Sequence, residues 1–289
     1  MRIESAKRRL FASLIARGLP VASKVNEDPQ RGLAFDLLHA LAGGPAVVTG
    51  HDDGVITLDV EEADDATREQ RRSHLMEPYR TLLGHLRHES GHYYWQRLVD
   101  GGPWHAPFRQ LFGDERTDYA AALQRHYANG PAANWGTFAV TAYASSHPWE
   151  DWAETWAHYL HMVDTLATAH GFALDTSQAE LRCPPYTAQD FQQAPAAFTN
   201  GDAGPQDAAN VGHNDNSDNS NNTTNNSDRD AADFALLATQ WTALTGVLNE
   251  LSRSMGVADF YPFVWSLPAV QKMYFVHRVM QSASGVLRA

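Results

Sequence analysis

The chain has 289 residues, with 34 acidic against 22 basic side chains and a net charge of -12 with histidine neutral. No basic excess exists to meet phosphates, which excludes nucleic acid as a main partner. The single cysteine, Cys183, excludes an internal disulfide and a cysteine-only zinc site within one chain.

No segment is long and apolar enough to cross a membrane. Met1–Arg17 is basic but lacks both a continuous apolar stretch and a small-residue cleavage site, so it does not read as a signal peptide, and a cytoplasmic protein is expected. Ser5–Arg17 reads as an amphipathic helix carrying Leu10, Phe11, Leu14 and Ile15, closed by Gly18-Leu19-Pro20. Asn26–Arg31 is turn-rich, and Ala34–Leu41 is a short apolar run stopped by Gly43-Gly44-Pro45. A hairpin is expected next: Ala46–Thr49, a turn over Gly50–Gly54, then Val55–Val60 with the alternation of a half-buried strand. His51, Asp52 and Asp53 carry cation-binding groups, but turn chemistry accounts for them better. An acidic linker, Glu61–Asp65, leads through Ala66–Arg72.

The stretch Thr81–Val99 organises the chain. It contains His88-Glu89-Ser90-Gly91-His92, the HExxH pattern. Residues four apart share a helical face, so both imidazoles can reach one metal ion, while Glu89 stands on the same turn as a base for an attacking water. Pro78, suited to a first helical turn, the apolar series Tyr79, Leu82, Leu83, Leu86, Tyr93, Tyr94 and Leu98, and Gly101-Gly102-Pro103 after it support a helix. A third ligand must come from elsewhere.

Pro103–Phe112 reads as irregular and aromatic, and Asp118–Tyr127 as a helix. The second constellation starts at Trp135 and ends in a helix from Pro148 to Gly171, with carboxylates in its first turn. Glu150 and Glu154 share a face, among Trp149, Trp152 and Trp156. In two-histidine, one-glutamate zinc sites one acid binds the metal and a second orients a histidine; the spacing suits Glu150 as ligand and Glu154 as the supporting acid, with the exchanged assignment left open.

Phe172–Phe198 reads as Pro-rich loops, and Cys183, in Arg182-Cys183-Pro184-Pro185, as a loop cysteine rather than a nucleophile. Residues 201–230 are dominated by Asn, Asp, Ser and Gly and are expected to be disordered. Phe234–Ser254 reads as a helix, Val257–Trp265 as an aromatic loop, and Pro268 opens a last apolar helix. The expected organisation is a catalytic domain over 1–200, a low-complexity insertion over 201–232, and C-terminal helices over 233–289 that pack back on the catalytic domain.

The run from His85 to Trp95, followed by the run from His147 to His161, resembles the bacterial zinc-binding metallopeptidases of the gluzincin type, without the N-terminal zinc ribbon that members commonly carry. The Glu-x-x-Ala-Glu arrangement at Glu150–Glu154 is also similar to that of the anthrax lethal factor toxin. That similarity implies Glu150 as zinc ligand and Tyr143, seven residues earlier, as a catalytic donor to the oxyanion; a plain core tyrosine is the alternative.

Together these readings lead us to expect an α+β, mostly helical chain of zincin-like fold, with a small hairpin or sheet before the HExxH helix. His88, His92 and Glu150 would bind zinc, Glu89 would be the general base, Tyr143 would assist, and Glu154 would orient a ligand. His85 reads as structural. The expected partner is a peptide or protein substrate. A non-catalytic zinc-stabilised binding module and a hydrolase of a non-peptide amide or ester remain the alternatives.

Overall fold

A computed structural model describes residues 1–41, 44, 47–176, 179, 184–192 and 220–286. Cys183 and residues 201–219 of the low-complexity stretch lie outside the described residues. The described chain is mostly helical with one small three-stranded sheet, an α+β arrangement. None of its helices is long and apolar enough to cross a membrane.

Helix α1 (Arg2–Ala16) buries Leu10 and Leu14. The apolar run after it forms strand β1 (Ala34–Leu38), followed by β2 (Gly50–Asp52) and β3 (Val55–Asp59), in the spatial order β1-β3-β2. β1 lies parallel to β3, from Ala34 opposite Val55 to Leu38 opposite Asp59, and β2 lies antiparallel on the other side. The first hairpin strand is therefore Gly50–Asp52; residues 47–49 of the expected strand are not part of it, and Ala46 lies outside the described residues. Asp53 (φ 40°) and Gly54 (φ 79°) both take the left-handed conformation. Such a two-residue turn matches the twist of the strands it joins, so pairing starts at its edge.

A 3-10 turn at Val60–Ala63 buries Glu62, which is only 1% exposed. Its Oε1 accepts from Arg71 at 3.0 Å and from Arg80 at 2.6 Å. Arg71 also reaches Asp59 at 2.8 Å. The end of β3, helix α2 (Asp65–His74) and the segment leading to the HExxH helix are thereby tied together. Burial raises the pKa of Glu62, but the hydrogen bond from Arg80, foremost among the opposing contacts, leaves it below the ordinary carboxylate value of 4.5.

Helix α3 (Leu82–Leu98) starts where Thr81 Oγ1 accepts from the Gly84 N–H at 3.0 Å. Helix α4 (His105–Phe112) occupies a stretch expected to be irregular. Pro107 falls in its first turn, where no intrahelical N–H bond is needed, and Phe108 and Phe112, one turn apart, stack at 4.9 Å in the core. Helix α5 (Tyr119–Asn129) is capped by Asp118, and α6 (Pro148–Gly171) by His147, whose Nδ1 accepts from the Trp149 N–H at 3.1 Å. After α7 (Gln189–Gln192) come α8 (Ser220–Ser254), which takes in residues 220–230 of the stretch expected to be disordered, and α9 (Leu267–Val286).

α3 and α6 form the centre of the molecule. A Cβ on Gly91 would lie 2.9 Å from the Ala153 Cα and 3.2 Å from the Trp156 Cβ, so only glycine allows this approach. Trp152 Nε1 donates to the Gly91 carbonyl at 2.8 Å and Trp156 Nε1 to Ser90 Oγ at 3.1 Å. α9 closes the far side, where Lys272 Nζ donates to Asp151 Oδ2 at 2.5 Å and to the Phe138 carbonyl at 2.8 Å, with both charged groups buried.

Two predictions follow from this packing. Gly91→Ala should cost about 1–3 kcal/mol through overpacking, read as a lower urea midpoint; a wild-type midpoint would mean that the two helices separate freely. Because the folded pKa of Glu62 lies below the unfolded one, its stabilisation is complete above pH 4.5 and lost as the pH falls through the lowered value. Glu62→Gln should thus cost about 3 kcal/mol at pH 7. The gap between variant and wild type should shrink on acidification; a gap independent of pH would contradict this reading.

Candidate metal centre

His88 and His92 stand one turn apart on α3, with ring centroids 5.0 Å apart. Pro148 at the first position of α6 puts Glu150 in its first turn, facing both rings. Glu150 Oε2 lies 3.0 Å from His88 Nε2, and Oε1 lies 3.5 Å from His92 Nε2. One ligand atom from each of His88, His92 and Glu150 lies within 4.8 Å of the others, so this group could hold a metal ion. It is the one such group among the described residues.

Glu154, one turn further along α6, sits behind the His88 ring. Its Oε1 is 2.6 Å from His88 Nδ1, and its Oε2 accepts from Thr141 Oγ1 at 2.7 Å. When Nδ1–H is given to Glu154, the neutral ring directs the lone pair of Nε2 at Glu150 Oε2, itself a buried oxygen with no hydrogen-bond donor. Two facing lone pairs call for a positive charge between them. Burial opposes a proton on His88, yet Glu150 and Glu154 outweigh it and raise the His88 pKa well above its ordinary value. Burial likewise raises the pKa of Glu150, but His92 and His88 hold it well below the usual carboxylate range. A divalent cation can take the place of the proton that His88 would otherwise hold, and two histidines with one glutamate form the donor set of catalytic zinc sites. The residues fit the ion.

Glu89 is buried beside the two histidines; burial pushes its carboxyl pKa up, against the charges of His88 and His92. Tyr143 has its ring 6.0 Å from that of His88, and burial, then the Glu150 charge, raise its pKa well above the ordinary value, so it stays a neutral phenol and a donor.

Two neighbours of the cluster, Tyr119 and Thr141, were not identified from the sequence, whereas Trp149 was expected beside the acids. Tyr119 donates to Glu150 Oε1 at 2.7 Å, Thr141 holds Glu154, and the Trp149 ring packs 4.4 Å from that of His92. No spacing rule relates Tyr119 to α6, which it meets only through the fold. His85 is partly buried with Nδ1 3.6 Å from Glu62, and burial pushes its pKa down to about 4; it belongs to the structure around Glu62. At the hairpin, His51 Nε2 accepts from the Gly54 N–H at 3.0 Å and Asp53 pairs with Lys24 at 3.2 Å, which is turn chemistry.

An α+β chain with this His-His-Glu group is one that can bind a metal at a helix pair. It belongs to the family described as "Putative zinc-binding metallo-peptidase", which it matches over residues 1–279. Two proteins of Mycobacterium tuberculosis and one of Mycobacterium bovis, each named only as an uncharacterized protein, are 40% identical to it over 284 residues, 98% of this chain and 70% of theirs. No solved structure matches the chain.

Glu154→Gln should leave one metal per chain but weaken its binding about 10–100-fold, measured by chelator competition. Complete loss of the metal would instead make Glu154 a ligand.

Proposed function

We propose that the protein is a zinc-dependent peptidase of zincin-like architecture, in which His88, His92 and Glu150 hold the zinc. The observation that carries this reading is the convergence of those three side chains, two of them buried and His88 partly so, within 4.8 Å, from the HExxH helix and a second helix. Family membership supports the metal and the reaction class. Zinc bound there would polarise the scissile carbonyl and make water acidic enough to attack near neutral pH.

The remaining work falls to the chain's own groups. Glu89 takes the proton of the attacking water and later delivers it to the leaving amine. Its burial, which favours a carboxyl that can carry a proton, supports this role. Tyr143, a neutral phenol beside His88, donates to the oxyanion that develops on the substrate carbonyl. Glu154, fixed by Thr141, keeps the His88 ring turned toward Glu150. A peptide or protein is the favoured substrate, because β2 has no strand on its outer side among the described residues and packs against α3. An extended peptide can add to such an edge.

Metal analysis of the purified chain, stripped of adventitious ions and reloaded, tests the reading. One zinc per wild-type chain is expected, lost in Glu150→Ala. Glu89→Gln should retain the zinc yet lower turnover of a peptide library by at least about 100-fold. Folded wild type without zinc would remove the basis of the proposal, and full activity in Glu89→Gln would remove Glu89 as the base.

A further inference from the structure

We propose that Tyr119 is the positioning residue for the metal-binding carboxylate: its hydroxyl occupies Oε1 of Glu150 and leaves Oε2 as the one oxygen presented to the ion. This inference rests on the zinc reading above and deepens it. A carboxylate has two oxygens, and the terminal torsion of a glutamate turns easily between them. In Glu150 the two are differently occupied. Oε1 accepts from Tyr119 at 2.7 Å, whereas Oε2 is buried, has no donor, and faces His88 Nε2 at 3.0 Å.

The contact is built into the fold by more than one bond. Asp118 caps α5 immediately before Tyr119, accepting from the Ala121 N–H at 3.0 Å. His147, the cap of α6, turns its Nε2 to the Thr117 carbonyl at 3.1 Å, so the starts of α5 and α6 are joined. The Tyr119 ring packs edge-on against His147 at 5.2 Å and Trp149 at 6.0 Å, residues that flank the start of the turn carrying Glu150. Tyr119 is therefore held in place by groups other than the ion.

The chemical consequence concerns the number of ligand atoms. A free carboxylate can grip a metal with both oxygens and fill a coordination position that a hydrolytic site must keep open. With Oε1 engaged by the phenol, Glu150 binds through Oε2 alone. The hydroxyl of Tyr119 thus preserves the vacancy in which water and substrate carbonyl meet.

The test compares full-length wild type and Tyr119→Phe for zinc affinity by chelator competition, for the visible spectrum of the cobalt-loaded protein, and for the melting of the metal-free protein. We expect the variant to bind zinc about tenfold more weakly. Its cobalt bands should be weaker and altered as both oxygens engage, and its metal-free melting temperature should be that of wild type. Wild-type affinity and spectrum in the variant would overturn the assignment, as would a lowered melting temperature with both metal readouts unchanged. A wild-type chain that takes up no zinc would overturn the metal reading itself, and this inference with it.

Discussion

Everything in the candidate site depends on how closely α3 and α6 approach at Gly91. The motif's two intervening residues, Ser90 and Gly91, face the second helix. Their smallness brings the two backbones together, since even one methyl group at Gly91 would stand 2.9 Å from the Ala153 Cα. Trp152 and Trp156 then reach across and donate to the Gly91 carbonyl and to Ser90 Oγ, which fixes the helices in rotation as well as distance. The histidines of one helix and the acids of the other face each other as a consequence. The same five residues serve packing on one side of α3 and chemistry on the other.

Around that contact several buried charged groups are placed against partners from other elements. Glu62 holds Arg71 and Arg80. Arg87, on the turn before the motif, meets Asp164 and His161 of α6. Lys272 meets Asp151. Buried pairs add little net stability over apolar packing, but losing one partner is costly, so they favour one register of the elements over its neighbours. In the cluster of His88, His92 and Glu150, by contrast, the buried Oε2 of Glu150 faces His88 Nε2 at 3.0 Å and has no hydrogen-bond donor among the described residues.

Much of this was legible in the sequence because it is local. The four-residue spacing of His88 and His92 means a shared helical face, Pro148 marks a helix start, and the acids after it fall on the face that meets α3. The turn at Asp53-Gly54 is an equally local signal. What could not be read was set by contacts between distant segments. Phe108 and Phe112 turn an aromatic stretch into α4 because a core is there to receive them. The hairpin strand moved to Gly50–Asp52 because a left-handed Asp-Gly turn pairs its immediate neighbours. Tyr119 meets Glu150 across 31 residues, and no pattern along the chain encodes the meeting.

The pair between Lys272 and Asp151 spans 121 residues, and its acid stands next to Glu150. During synthesis, α3 and α6 emerge well before the cation that neutralises Asp151. Until α9 arrives, seating the first turn of α6 would mean burying an uncompensated carboxylate, which costs several kcal/mol. His88 and His92 share one helix, whereas the turn that carries Glu150 also carries Asp151 and so packs against α9. The acid that completes the His-His-Glu group is thus seated next to a pair whose cation lies 121 residues further along the chain.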